Sequence, residues 1–129
     1  MRKYHHRILV PWLLLLFALP AFCRDQPFES GQRAYAAGHF AEAFLAFKEA
    51  AEAGDDRAFG RLGGMYLYAV GTDRSFDRAY LWFTLARVSG DRYAEGFQRT
   101  AASMLKPLRI GELQEEAEYL RQRLGKAPR

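Results

Sequence analysis

The sequence contains an internal repeat with a period of 36 residues. When residues 40–60 are aligned with residues 76–96, nine of the twenty-one positions are identical. The identical pairs are Phe40/Phe76, Ala43/Ala79, Leu45/Leu81, Phe47/Phe83, Ala50/Ala86, Gly54/Gly90, Asp55/Asp91, Ala58/Ala94 and Gly60/Gly96. Because helix–turn–helix repeats have periods of about 34–47 residues, this spacing predicts a stack of helical hairpins.

Polar residues and glycines mark the ends of the predicted helices. Gly54 can close the first repeat helix in the left-handed conformation, and Asp55 or Asp56 can cap the next one. Ser75 is the predicted N-cap of a helix that runs to Ser89. Apolar stripes at helical spacing support these helices: Phe40, Ala43, Phe44, Phe47, Ala50 and Ala51, then Ala58, Leu62, Met65 and Tyr66.

The helix that ends at Ser89 has two apolar faces, which predicts that it packs between neighbouring helices. One face carries Ala79, Trp82, Phe83 and Ala86, and the other carries Leu81, Leu85 and Val88. We expect Trp82 and Phe83 to lie in the core. A further helix is predicted over about residues 93–106, where Pro107 ends it, and a short helix over Ser30–Ala37 opens the array. Ile110, Leu113, Ala117, Leu120 and Leu124 form the stripe of a C-terminal capping helix.

The stretch from Ala58 to Gly90 resembles the Sel-one-like repeat family, the shorter relatives of tetratricopeptide repeats. It has the pattern A-x3-L-G-x-M-Y-x4-G-x4-F-x-R-A-x2-W-F-x2-A-x3-G. The residues that match the family are Leu62, Gly63, Tyr66, Gly71, Phe76, Arg78 and Ala79, and those that depart from it are Ala69, Thr72 and Ser75. A degenerate earlier copy with a shortened turn is carried by Tyr35, Gly38, Phe40 and Ala43. The resemblance implies a bacterial protein that acts as a scaffold or adaptor.

The N-terminus has the order of regions found in a secretory signal peptide. Residues 1–7 carry Arg2, Lys3 and Arg7, and residues 8–22 contain no charge. The short apolar run ends near Pro20 and is followed by a site suited to cleavage after Cys23, so we predict a periplasmic or secreted protein. An uncleaved anchor formed by residues 8–22 is the alternative. Lipid attachment at Cys23 is disfavoured, since a bulky Phe22 precedes it.

These patterns together predict an all-α fold, a short right-handed α-solenoid of helix–turn–helix repeats with a C-terminal capping helix. The predicted segments are a signal peptide (1–23), a linker (24–29), helical repeats (30–106), the capping helix (107–124) and a tail (125–129).

Charge and composition argue against several classes of function. Beyond residue 23 the chain carries 16 basic and 15 acidic side chains, so we expect no nucleic-acid binding. The same region has one histidine, His39, and no cysteine, so we expect no metal site and no cofactor. His39 is interpreted as a solvated turn residue, and Gly60, Gly63 and Gly64 are expected to let helices approach closely. We therefore predict that the protein is not an enzyme.

The predicted function is binding of another protein or a peptide, with self-association as one form of it. Tyr68 lies off the apolar stripe of its helix and is predicted to be partly exposed, with Arg78 nearby on the next helix. An exposed aromatic beside an arginine is typical of protein-binding hot spots, so both are predicted partner-binding residues. The other exposed arginines, including Arg61, are interpreted as a solvated face. The alternatives are a membrane-tethered envelope subunit and, less favoured, a glycan-acting envelope enzyme.

Overall fold

The computed structural model of the protein describes residues 26–125, which form six α-helices and no strand. The helices are α1 (Pro27–Ala36), α2 (Phe40–Glu52), α3 (Arg57–Tyr68), α4 (Phe76–Val88), α5 (Ala94–Ala102) and α6 (Pro107–Leu124). Helices α1 and α2 pack as one hairpin and α3 and α4 as a second, and α2 also contacts α3. The prediction of an all-α solenoid of helical repeats is confirmed. Within the described part, no helix has the length and hydropathy needed to cross a membrane.

The turns that follow α2 and α4 are built in the same way. Gly54 and Gly90 both have positive φ, 86° and 101°, a conformation that glycine adopts without a steric penalty. The next residue then holds the start of the following helix: Asp55 Oδ1 accepts a hydrogen bond from the backbone N–H of Arg57, and Asp91 Oδ1 accepts one from that of Tyr93. The predicted repeat is therefore present in the turns as well as in the helices.

The loops inside the two hairpins differ in length. Residues 37–39 join α1 to α2, and residues 69–75 join α3 to α4. The shortened turn predicted for the first copy is therefore present. In the longer loop Ala69 adopts the left-handed conformation (φ 56°, ψ 46°), and Ser75 caps α4 by accepting a hydrogen bond from the backbone N–H of Arg78 at 3.2 Å. Gly71 passes so close to the Phe40 carbonyl oxygen that a Cβ atom there would collide with it.

Helix α4 lies at the centre of the fold, in contact with α3, α5 and α6. Its residues 79–86 are all buried, as its two apolar faces predicted. Helix α6 has the bounds of the predicted capping helix and covers the outer side of α4. The two helices are joined near their N-termini by Arg109, whose Nε lies 2.8 Å from Asp77 Oδ2, and further along by Gln114, which donates to the Tyr80 hydroxyl.

A buried chain of hydrogen bonds links α4 to α5. The Gln98 side-chain amide donates to Thr84 Oγ1 at 2.7 Å, and the Thr84 hydroxyl donates to the Tyr80 carbonyl oxygen at 2.8 Å. Both side chains are buried, so the Gln98 amide depends on the Thr84 hydroxyl for its hydrogen bond, and the Thr84 hydroxyl depends on the Tyr80 carbonyl oxygen.

Two helix bounds differ from those predicted. Helix α1 begins at Pro27 instead of Ser30, inside the range predicted as linker, because proline suits the first helical position and Phe28 packs its ring on that of Phe47. Helix α5 ends at Ala102, well before Pro107, and residues 103–106 form the connection to α6. The predicted signal peptide, the alternative anchor at 8–22 and all of the predicted tail except Gly125 lie outside the described residues.

Candidate functional site

A groove crosses the surface of α3 between α1 and α5, and we call it the central groove. Its rim is formed by Tyr35 of α1, by Arg61 and Tyr68 of α3, and by Phe97 of α5. The main part of the groove encloses about 240 Å³. Two further spaces extend it, one toward α1 and one toward the start of α5, and Arg61 lines both of these extensions as well. All four rim side chains are exposed, so the groove presents three aromatic rings and one guanidinium group to solvent.

Aromatic rings from the even-numbered helices form the floor of the central groove. Phe47 of α2 and Phe83 of α4 both line it from below and are buried. Phe83 stacks on Phe97, with ring centroids 5.4 Å apart and an interplanar angle of 18°. The rim ring of α5 is therefore held in place by the core ring beneath it.

Arg61, which lines the central groove, and Arg57, which lines its extension toward the start of α5, differ in their ion pairs. Arg57, at one end, donates to Glu29 Oε1 at 2.7 Å and to Asp55 Oδ2 at 2.7 Å, and its guanidinium carbon lies 4.4 Å from the centre of the Phe28 ring. These contacts lower the pKa of both carboxyl groups, chiefly through their hydrogen bonds to Arg57. Arg61 makes no hydrogen bond or ion pair with any residue in the range 26–125. The charge of Arg57 is thus balanced within the fold, whereas that of Arg61 is not.

Three glycines of α3 have different roles from the shared one that the sequence predicted. Only Gly63 allows a close approach of packed helices, because a Cβ atom there would lie 3.1 Å from the Phe83 ring. At Gly60 a Cβ atom would meet only a side-chain oxygen of Asp91, and at Gly64 it would meet nothing within 4 Å. The prediction of close helix approach is therefore wrong for Gly64, which lines the groove instead.

The two predicted partner-binding residues lie on different surfaces. Tyr68 is 56% exposed and stands at one end of the central groove. Arg78 does not line that groove; its guanidinium reaches toward α6, with Nη1 3.4 Å from Glu116 Oε1. The sequence placed them together because they are close along the chain, but the loop 69–75 separates their helices.

Sequence reasoning missed Tyr35, Arg61 and Phe97 as members of the same surface. They belong to three different helices, and only the packing of the hairpins brings them together. The sequence offered one signal for them. Each is an apolar or basic residue on the side of its helix opposite the packed stripe. Trp82, in contrast, is 7% exposed and packs beside Phe59, with ring centroids 5.7 Å apart, as predicted for the core.

The described residues offer no cluster of three or more histidine, cysteine or carboxylate side chains that could hold a metal ion. His39 is exposed just before α2, with Nδ1 3.6 Å from Glu42 Oε2. A second cavity, of about 290 Å³, lies on the far side of the fold between the α2–α3 turn and the C-termini of α4 and α6. It is lined by Phe59 and Leu85 together with Arg121, which is already paired with Glu118 at 2.7 Å.

Comparison with known proteins gives one match, to a solved structure. It is the crystal structure of a protective antigen present in uropathogenic Escherichia coli strains, described as displaying an SLR (Sel-one-like repeat) fold. The two structures align with a TM-score of 0.59 and 23% sequence identity over 78% of this chain. The chain has the SLR fold. No family model and no curated protein matches the sequence.

The SLR fold agrees with the resemblance that the sequence pattern indicated. Gly63 and Tyr66, two of the matching residues, have packing roles: Gly63 lies on the Phe83 ring, and Tyr66 makes an edge-on contact with Phe44 at 5.2 Å between centroids. The chain spans only 22% of the length of the antigen.

Proposed function

We propose that this protein is a non-catalytic, exported scaffold that binds another protein or a peptide in the central groove. The observation that carries the proposal is the exposure of aromatic rings from the three odd-numbered helices, α1, α3 and α5, in one groove. A folded protein usually buries such rings, and a grouping of them beside a cation is typical of an interaction site. The SLR fold supports the proposal, because solenoids present extended surfaces of this kind to partners.

Tyr68 is the residue whose role in binding is most directly testable. Its ring is exposed in the groove, so a partner can cover it without any change in the core. We propose that the photo-crosslinking residue p-benzoylphenylalanine in place of Tyr68 yields a covalent adduct with the partner in cells. Tyr119 of α6 is a matched control, since it is 64% exposed but lies outside the groove.

The crosslinking experiment has two informative outcomes. An adduct from position 68, and none from position 119, supports binding in the central groove. Adducts of equal yield from both positions, or from position 119 alone, would contradict it.

Arg78 remains a proposed partner-binding residue on a second surface. Its guanidinium is more than half exposed, and its contact with Glu116 is long. Arg78→Ala is expected to weaken partner capture less than Tyr68→Ala, because Arg78 lies away from the groove. An equal loss for both variants would extend the binding surface from the groove onto the side of α4 and α6.

Export to the periplasm or the medium is proposed on the sequence of residues 1–23. N-terminal sequencing of the protein recovered from fractionated cells tests it. A mature chain that begins near Arg24 in the soluble envelope fraction is the expected result. A full-length chain in the membrane fraction would favour the anchor formed by residues 8–22.

A further inference from the structure

We propose that Arg61 binds a carboxylate side chain of a peptide whose neighbouring apolar side chains lie in the central groove. This inference rests on the proposed function and goes further by naming the chemistry of the partner. The peptide it describes has an aspartate or glutamate flanked by aliphatic or aromatic residues.

The charge distribution around the groove carries the first part of the inference. Arg61 is the residue shared by the groove and both of its extensions, so its side chain lies where the three spaces meet. Arg57 is already bound to two carboxylates, whereas Arg61 is bound to none in the described part of the chain. A guanidinium presents a planar set of donors that matches a carboxylate, and apolar surroundings strengthen that pair.

Asp91 determines where along the groove the acidic residue lies. Its carboxylate is at the end near the start of α5, with Oδ1 held by the Tyr93 backbone N–H at 2.9 Å. A second carboxylate is repelled there. The extension on the other side is lined by Gln32, Tyr35 and Ala36 of α1 and carries no acidic residue. The acidic side chain is therefore expected on the α1 side of Arg61.

Gly64 supplies an independent observation. Glycine inside a helix is less stable than alanine, and here neither packing nor backbone conformation requires it, because a Cβ atom would meet open space. That open space is the part of the central groove between Arg61 and Tyr68. Gly64 keeps a side-chain-free surface next to the arginine, where an apolar side chain of the peptide can lie against the backbone of α3.

Three matched peptide libraries test the inference with the full-length protein. The peptides have amidated C-termini and random apolar residues around one central position, which is glutamate in the first library, glutamine in the second and lysine in the third. Wild-type protein is expected to enrich peptides from the glutamate library. The best peptide is then measured by fluorescence anisotropy against Arg61→Gln, Arg61→Lys, Gly64→Leu and Arg123→Gln.

We expect Arg61→Gln to weaken binding about ten- to one-hundred-fold, the range for loss of a charge-assisted hydrogen bond. Arg61→Lys should restore part of that loss, because it keeps the charge but not the planar donors. Gly64→Leu should abolish binding by filling the groove. Arg123→Gln removes an exposed arginine of α6, outside the groove, and should change nothing.

Other outcomes separate failure of this inference from failure of the proposed function. Equal enrichment of the glutamate and glutamine libraries, with binding still lost in Gly64→Leu, would overturn the role of Arg61 and leave the groove as the binding site. If the best peptide binds more tightly when it is made with a free C-terminal carboxylate than when it is amidated, the group bound by Arg61 is a chain terminus and not an acidic side chain. Binding that Gly64→Leu does not change would overturn both the inference and the proposed groove.

Discussion

A Cβ atom at Gly31 would lie 2.8 Å from Cδ1 of Phe47, so α1 and α2 meet at a point where only hydrogen fits. Gly63 and Phe83 have the same relationship in the second hairpin, with a closest distance of 3.1 Å. Phe47 and Phe83 are 36 residues apart, but the two glycines are 32 apart, because the loop of the first hairpin is four residues shorter. Each hairpin thus brings a glycine of its first helix onto the ring of its second.

Gly31→Ala is expected to lower the free energy of unfolding by about 1–2 kcal/mol, because the added methyl group forces the Phe47 ring out of its position. Gly63→Ala should cost less, since its contact distance is longer. Gly64→Ala is the control on the same helix, and it should stabilise the protein by about 0.5–1 kcal/mol because its Cβ atom meets nothing. Urea denaturation of the three variants measures these changes in the free energy of unfolding. Equal stability of Gly31→Ala and Gly64→Ala would contradict the packing described.

Ala69→Gly is expected to stabilise the protein by about 0.5–1 kcal/mol. Ala69 has φ 56°, and an L-residue with a Cβ atom is strained in the left-handed region by about 1–2 kcal/mol, part of which the greater freedom of glycine in the unfolded chain offsets. Gly71→Ala is the opposite test, since a Cβ atom there would collide with the Phe40 carbonyl oxygen. A thermal melt in which Ala69→Gly is less stable than wild type would contradict the conformation of this turn.

Thr84→Val is expected to cost about 1–3 kcal/mol of stability, because it leaves the buried amide of Gln98 without an acceptor. Replacing both partners, as Thr84→Val with Gln98→Leu, should recover much of that loss, since no buried polar side chain is then left unpaired. Denaturant unfolding of the two single variants and the double variant measures the coupling. Additive losses would mean that the two side chains act independently.

Trp82→Ala is expected to lower stability by about 3–5 kcal/mol, the range for removing a large aromatic side chain from a core. Tyr68→Ala should change the melting temperature little, since its ring is exposed, while weakening partner capture. Melts and pull-downs on the same two proteins compare these effects. If Trp82→Ala left stability intact and abolished binding, the tryptophan would be the binding residue instead of Tyr68.

Stability is expected to fall at acidic pH as three ion-paired carboxylates are protonated. The hydrogen bonds from Arg121 and Gln122 lower the pKa of Glu118 to about 2, and Arg57 lowers the pKa of Glu29 and of Asp55. A carboxylate whose pKa is lowered in the folded state contributes its full stabilisation above its unfolded pKa, which is 4.5 for glutamate and 3.8 for aspartate. The contribution is lost as the pH falls through the lowered pKa, which for Glu118 is about 2. The effect is small, because these side chains are partly exposed.

Glu118→Gln should therefore reduce the loss of stability between pH 4.5 and about 2, as measured by urea unfolding across that range. Glu115→Gln is the control, since Glu115 is an exposed acid of the same helix whose carboxylate makes no ion pair with the described residues. An identical pH profile for both variants would contradict the role of the Glu118–Arg121 pair.

The features that could be predicted from the sequence are those set by residues close together in the chain. Ser75 and Asp55 act as caps as expected, because capping depends only on the next few residues. Burial was harder to predict, as Leu45 and Leu81 show: they occupy identical repeat positions, yet one is 64% exposed and the other is fully buried. Within the described residues α4 packs against α3, α5 and α6, whereas α2 packs mainly against α1 and α3, so the difference depends on where α6 packs.

The candidate site was predicted only in part for the same reason. Tyr68 was correctly placed outside the packed stripe of its helix, which follows from helix geometry alone. Its neighbourhood could not be deduced, because Tyr35 and Phe97 come from helices whose relative positions the periodicity does not determine. Gly64 was assigned to helix packing because glycine has the same sequence signal whether it faces a neighbouring helix or an open groove.

The position of α4 has a consequence for how the protein unfolds. In a long array each hairpin contacts only its neighbours, so the ends can fray while the middle stays folded. Here α3, α5 and α6 all pack against one helix, and none of them keeps its main contacts once that helix is lost. Helices α3 to α6 should therefore lose their structure in a single cooperative transition, which tryptophan fluorescence and circular dichroism can follow. This part of the array then behaves thermodynamically as a small globular domain.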